Sequence, residues 1–143
     1  MHPEIKEYIA RQESGHREVC SSLAQEIDNF LDNAESKIWH AHPVWFLDGN
    51  PIVGSSKEKP GIRLMFWSGA DFEEEGLNIR GKKFKDASVF YNVVSKIRNS
   101  DLHRWLEKSQ VIQWDYKNIV KKRGCLTELC SLHASWPWLV PVA

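Results

Sequence analysis

Two hydrophobic periods meet between Ala34 and Lys37, and the switch from one to the other limits the fold more than any other feature of the chain. Val19, Leu23, Ile27, Phe30 and Ala34 recur at spacings of three and four, with Cys20, Ala24 and Leu31 widening the stripe. Residues so spaced share one side of an α-helix. Arg17, Glu18, Gln25, Glu26, Asp28 and Asn29 fill the other side, as in a helix that buries one face. Past Lys37 that period is lost. Short β-branched and aromatic runs replace it: Lys37-Ile38-Trp39, then Pro43-Val44-Trp45-Phe46-Leu47. Pro43 suits a strand start, because proline has no N–H to give to a ladder. Asp48-Gly49-Asn50 is a hairpin turn signal, and Pro51-Ile52-Val53-Gly54 would return antiparallel. Ser55 to Pro60 reads as a polar turn. Gly61-Ile62-Arg63-Leu64-Met65-Phe66-Trp67 is the clearest strand, with Ile62, Leu64 and Phe66 on one face. Met65 and Trp67 make its other face partly apolar, so both faces are expected to be covered.

The flanks complete the pattern. Residues 3–13 can form a short helix with Ile5, Tyr8 and Ile9 on one side, and Ser14 is placed to cap the next helix. Ser68 to Lys85 is a longer connection, acidic first and basic later, and Ala87 to Val93 is a further strand. Asn99-Ser100-Asp101 then caps a long helix on which Leu102, Trp105, Leu106, Ile112, Tyr116, Ile119 and Val120 repeat. Lys121, Lys122 and Arg123 in its last turn complement the helix dipole, and Gly124 fits the position just past its end. Helices, then strands joined by tight turns, then a helix predict an α+β fold: an antiparallel sheet of about five strands packed by N-terminal helices and a long C-terminal helix. At 143 residues the chain fits one core, assigned to residues 1–124. Residues 125–143 differ in character: Glu128 is their one acidic or basic residue besides His133, and they contain Trp136-Pro137-Trp138.

Charge narrows the function classes. Lys+Arg and Asp+Glu both total 19, so the formal net charge is zero, without the basic excess of a general nucleic-acid binder. The N-terminus is polar, lacking the apolar core of a signal peptide, and no run approaches the roughly 20 apolar residues of a membrane span. The expected location is the cytoplasm, with no membrane or nucleic-acid partner. The cysteines, Cys20, Cys125 and Cys130, do not form a disulfide framework. Cys20 falls beside the buried stripe of its helix, and the C-x4-C spacing of the other two matches neither a usual zinc site nor a thioredoxin motif. Nucleotide-binding glycine loops, zinc-protease helices and nucleophile elbows are absent, so no catalytic residues are assigned.

From Ile38 to about Gly124 the chain resembles the YdhG-like family, a domain-of-unknown-function group of small bacterial proteins. The resemblance rests on Trp39-His40-Ala41-His42-Pro43-Val44-Trp45-Phe46, on Leu64-Met65-Phe66-Trp67-Ser68-Gly69-Ala70, and on Gly81-Lys82-Lys83-Phe84-Lys85-Asp86-Ala87-Ser88-Val89 leading into the last helix. The preceding helices also sit where that family has them, whereas the residues after Gly124 depart from its pattern. The resemblance implies an α+β fold with helices against an antiparallel sheet. It implies function only loosely, because some relatives are described as frataxin-like iron chaperones and most have no assigned activity.

Three groups are candidate sites. Trp39, Trp45 and Trp67 lie on expected strands and Trp105 on the helix expected to cover them. Seven tryptophans in the chain suggest either an aromatic core or a pocket for a small apolar ligand. Close packing of protein interiors favours the core. His40 and His42, two apart, would share a strand face and could both reach one divalent ion, or serve as polar members of that face. Asp71, Glu73, Glu74 and Glu75 form the best local set of oxygen ligands for iron, although a charge run is more often a solvated loop. The basic run Arg80, Lys82, Lys83 and Lys85 has the same bland alternative. The leading expectation is a non-enzymatic domain that binds a small apolar ligand or a protein partner, with homodimerisation through the C-terminal segment. The alternative is a frataxin-like iron chaperone using carboxylates.

Overall fold

The computed structural model describes residues 1–121 and 123–129. Helices α1 (Pro3–Ala10) and α2 (Ser14–Phe30) lead into strands β1 (Glu35–Trp39), β2 (His42–Leu47), β3 (Asn50–Glu58) and β4 (Gly61–Phe66). A two-residue strand β5 (Ile79–Arg80), then β6 (Ala87–Tyr91), helix α3 (Asn99–Val111), β7 (Gln113–Trp114) and β8 (Glu128–Leu129) follow. The main sheet has six strands in the order β1-β2-β3-β4-β6-β5, every neighbouring pair antiparallel. β7 and β8 form a separate two-stranded ribbon. The fold is α+β, as the periods of the sequence predict, with one more strand in the sheet. The extra strand, β5, is two exposed residues that pair only with Ser88 and Ala87, too short to leave a periodic signal.

Among the described residues, α1, α2 and α3 all pack on one side of the sheet. Ile5 and Ile9 of α1, Val19, Leu23 and Ile27 of α2, and Leu102, Trp105 and Leu106 of α3 join Val53, Ile62, Leu64, Phe66 and Ala87 in one buried cluster. Alternation along β4 sends Ile62, Leu64 and Phe66 into this core, each 0% exposed, and turns Arg63 and Met65 to the opposite face. Burial of this apolar surface at about 25 cal/mol per Å² is the main force holding the layers together. No helix of the described residues is long and apolar enough to cross a membrane.

Several local expectations are corrected. The run Ser55–Glu58 continues β3 instead of turning, because Ser55, Ser56, Lys57 and Glu58 pair in register with Leu64, Arg63, Ile62 and Gly61. Its polarity marks a sheet face that the described residues leave uncovered, and the turn is confined to Lys59-Pro60. Ser14 is the first residue of α2, not its cap; Glu13 holds that position without a side-chain cap bond. Arg98 likewise precedes α3, with Asn99, Ser100 and Asp101 inside its first turn.

The largest correction concerns α3, which ends at Val111 and does not continue to Gly124. Ile112 takes an extended conformation (φ −95°, ψ 99°), and the chain turns back across the end of the β2–β3 hairpin. Asn50, 1% exposed, holds it there. Its amide donates to Gln113 Oε1 (3.0 Å) and to the Trp114 carbonyl (2.9 Å), and its oxygen accepts from the backbone N–H groups of Tyr116 (3.0 Å) and Lys117 (3.1 Å). These tertiary bonds supply what helical continuation would have supplied. Gly124 does adopt a left-handed conformation (φ 81°), but it closes a turn, with its N–H on the Ile119 carbonyl at 2.8 Å. Within the segment assigned above to a tail, Glu128 and Leu129 form β8, which pairs with β7. Cys130 and the rest of that tail, with the dimer contact expected of it, lie outside the described residues.

Candidate ligand-binding site

The face of the sheet opposite α1–α3, free of helices among the described residues, holds a concavity of about 310 Å³ over β1–β4. Its walls come from strand positions that alternation points away from the helices: Trp39, His42, Val44, Ser56, Arg63 and Met65, with Trp67 just past β4. The two indoles are neighbours, with ring centroids 6.3 Å apart and planes inclined at 38°. Trp39 also meets Phe46 edge-on at 5.5 Å. Gly54 makes room for Trp67. A Cβ built on Gly54 would stand 2.8 Å from the Pro43 carbonyl oxygen and 3.1 to 3.2 Å from the rim of the Trp67 ring. Any larger residue there would lift the indole off the sheet. The backbone of Trp67 is fixed from below, where the Tyr116 hydroxyl donates to its carbonyl at 2.6 Å. That hydroxyl accepts from the Lys85 N–H in turn, and burial raises its pKa to about 12.

The polar rim is Glu58, Arg63, His40 and His42. Arg63 is already engaged: its Nε donates to Ser88 Oγ at 2.9 Å, and its terminal nitrogens lie 3.4 Å from Asp86 and 3.6 Å from Glu58. Ser56 Oγ donates to Glu58 at 2.9 Å. Burial lowers the pKa of His42; Glu58 acts in the opposite direction, and His40 adds to the lowering. The Nδ1 of His42 is buried without a hydrogen-bond partner, so a protonated ring would carry an unpaired donor. His42 is therefore neutral at neutral pH.

The six residues singled out for ligand contact divide between the two faces. Trp39, His40, His42 and Trp67 line the concavity. Trp45 and Trp105 belong to the core, 1% and 3% exposed, each with its indole N–H paired. Trp45 donates to Asp28 at 2.8 Å and Trp105 to Glu74 at 3.0 Å. The expectation that Trp105 covers Trp39 and Trp67 is thus corrected: a residue on the helical layer cannot reach rings on the opposite face. His40 and His42 do not share a strand face either. His40 and Ala41 form the β1–β2 turn with φ of 51° and 71°, the left-handed pair of a two-residue hairpin, and only His42 is in a strand. Residue type hid this turn, since Asn-Gly is its usual signature and His-Ala is not.

The acidic run does not converge. Glu74, buried, accepts from Arg104 Nε and Nη2 at 2.8 and 2.6 Å, from Lys108 Nζ at 2.6 Å and from the Trp105 indole. The Arg104 guanidinium leads in holding its pKa down at about 2; desolvation opposes, and Lys108 and Trp105 assist. Asp71 accepts from the Trp114 indole at 2.7 Å, while Glu73 and Glu75 are exposed. Among the described residues no group of three His, Cys, Asp or Glu side chains is arranged to hold a metal ion. Nor are the basic residues between 80 and 85 one patch. Arg80 donates to the carbonyls of Leu77, Ala70 and Glu74, and the Lys85 ammonium sits 4.9 Å from the centroid of the Trp114 ring.

No protein-family model and no curated protein matches the chain. Among solved structures it is similar to a crystal structure of a DUF1801-family protein, YdhG from Bacillus subtilis. The TM-score is 0.57 with 20% sequence identity, over 87% of this chain and 94% of that one. The chain therefore has the fold of a DUF1801 protein, in agreement with the YdhG-like resemblance carried by its motifs.

Proposed function

We propose that the protein is a non-enzymatic binding domain that takes a small, largely apolar ligand in the concavity on the helix-free face of its sheet. The observation that carries this reading is the pairing of Trp39 and Trp67 over Gly54 on a face that no helix of the described residues covers. Two indoles left partly exposed side by side on a sheet are costly unless something packs on them. The volume of about 310 Å³ is at the small end of ligand pockets, which run roughly 300–1,000 Å³, and fits a molecule of about one ring. At the rim Ser56 donates to an exposed carboxylate, Glu58, which is shared with Arg63; His42 is neutral with one nitrogen shielded, and Arg63 is spent on Ser88, Asp86 and Glu58. That arrangement suits recognition better than bond-making.

Tryptophan fluorescence of the full chain, titrated with a panel of one-ring and branched aliphatic compounds, tests the reading. A saturable change that disappears in Trp67→Ala, with far-UV circular dichroism retained, is the expected result. A flat response across the panel, or one that Trp67→Ala leaves intact, refutes it.

A further inference from the structure

The geometry points to a compact organic cation, an ammonium group with a small apolar body, as the class of ligand taken by the Trp39–Trp67 concavity. The inference rests on the binding reading above and specifies its chemistry.

Three features favour positive charge. Indole faces carry the negative lobe of the ring quadrupole and attract cations within about 6 Å. Two of them, inclined at 38° with centroids 6.3 Å apart, form one angled wall that a rounded head group can touch on two sides. The fixed charges agree. Glu58 and Asp86 carry two negative charges against the single positive charge of Arg63, which lies within 4 Å of both. Asp86, outside the lining, takes part of the Arg63 charge, so Glu58 at the exposed end of the rim is not fully neutralised. His42 adds no opposing charge at neutral pH, because its neutral form is the favoured one. An anion would meet the negative ring faces and the Glu58 carboxylate, and its natural partner, Arg63, is already shared. A neutral apolar molecule would fit the floor of Val44 and Met65 but gain nothing from Glu58.

The test uses three probes of one shape: choline, the neutral 3,3-dimethyl-1-butanol and the anionic 3,3-dimethylbutanoate. Each is titrated into the 15N-labelled full chain while the indole N–H resonances of Trp39 and Trp67 are followed. Choline is expected to shift both, with the alcohol about fivefold weaker and the carboxylate weaker still, as a cation–π gain of this kind allows. Glu58→Gln should weaken choline about threefold and leave the alcohol unchanged, as loss of a half-exposed ion pair would. If the alcohol or carboxylate binds as tightly as choline, the cation inference is overturned and the pocket reading stands. If none of the three moves either indole, both fall.

Discussion

Replacing Glu74 with glutamine should remove an electrostatic fastening shared by three donor side chains and make its loss visible as a function of pH. Glu74 lies in the loop that crosses α3, and its carboxylate collects hydrogen bonds from Arg104, Trp105 and Lys108 at 2.6 to 3.0 Å. Its pKa falls from an ordinary 4.5 to about 2. At about 1.4 kcal/mol per pH unit this corresponds to roughly 3 kcal/mol of stability at neutral pH. Because Arg104 is half exposed and screened, about 2 kcal/mol is the safer expectation. The sign follows from the lowered pKa. The folded state binds this proton more weakly than the unfolded state, so the contribution is complete above pH 4.5 and fades as pH falls towards 2. Glu74→Gln keeps the shape and removes the charge. Urea unfolding of both proteins should give a difference of about 2 kcal/mol at pH 7 that shrinks steadily between pH 4.5 and 2. A difference of similar size at pH 7 and pH 2.5 would mean that packing around the loop, and not the charge, holds it. A difference below about 0.5 kcal/mol at pH 7 would refute the fastening altogether.

Other outcomes follow from single contacts. Asn50→Ala strips the four hydrogen bonds that hold the chain after α3, so about 3 kcal/mol should be lost. Amide exchange at Tyr116 and Lys117 should quicken before that of the main sheet. Gly54→Ala forces a methyl against the Pro43 carbonyl and the Trp67 ring, costing about 1–3 kcal/mol, and the Trp67 indole resonance should move. An unmoved resonance would mean the ring does not rest there. Trp45→Phe should cost about 2 kcal/mol by thermal unfolding, through the lost bond to Asp28 and the smaller ring, while leaving ligand titrations unchanged. Burial raises the Cys20 thiol to about 11. In a variant carrying Cys125→Ser and Cys130→Ser, thiol reagents at pH 8 should therefore label Cys20 only after denaturation.

The periodic parts of the fold were legible because periodicity is the imprint of a one-sided core. Val19, Leu23 and Ile27 announce α2, and Ile62, Leu64 and Phe66 announce both β4 and the face it buries. What escaped was decided by single tertiary contacts. Helical spacing continues past Val111, but Asn50, distant in sequence, captures the backbone there. Ser55 to Glu58 looked like a turn because their polarity reflects an open sheet face, which local composition does not distinguish from a loop. Within the candidate site, Trp39, His40, His42 and Trp67 were visible as residue types, and parity along the strands could have separated Trp45 from them. Trp45 and Val44 are adjacent in one strand and necessarily face opposite ways. Glu74 stood among acidic neighbours, and nothing in that run marks the one carboxylate that the loop folds inward.

The two-faced sheet also bears on how such a protein can change. In β4, neighbouring residues answer to separate demands: Ile62, Leu64 and Phe66 hold the helices, while Arg63, Met65 and the adjoining Trp67 shape the hollow. A substitution at one of the latter leaves the helical core intact, so the shape of the hollow can change without first risking collapse of the fold. Gly54 is the exception, because it touches the ring that defines the hollow and the strand that frames it. Variation among proteins of this shape should accordingly be wide at positions 63 and 65 and narrow at 54, giving one scaffold with hollows of differing shape.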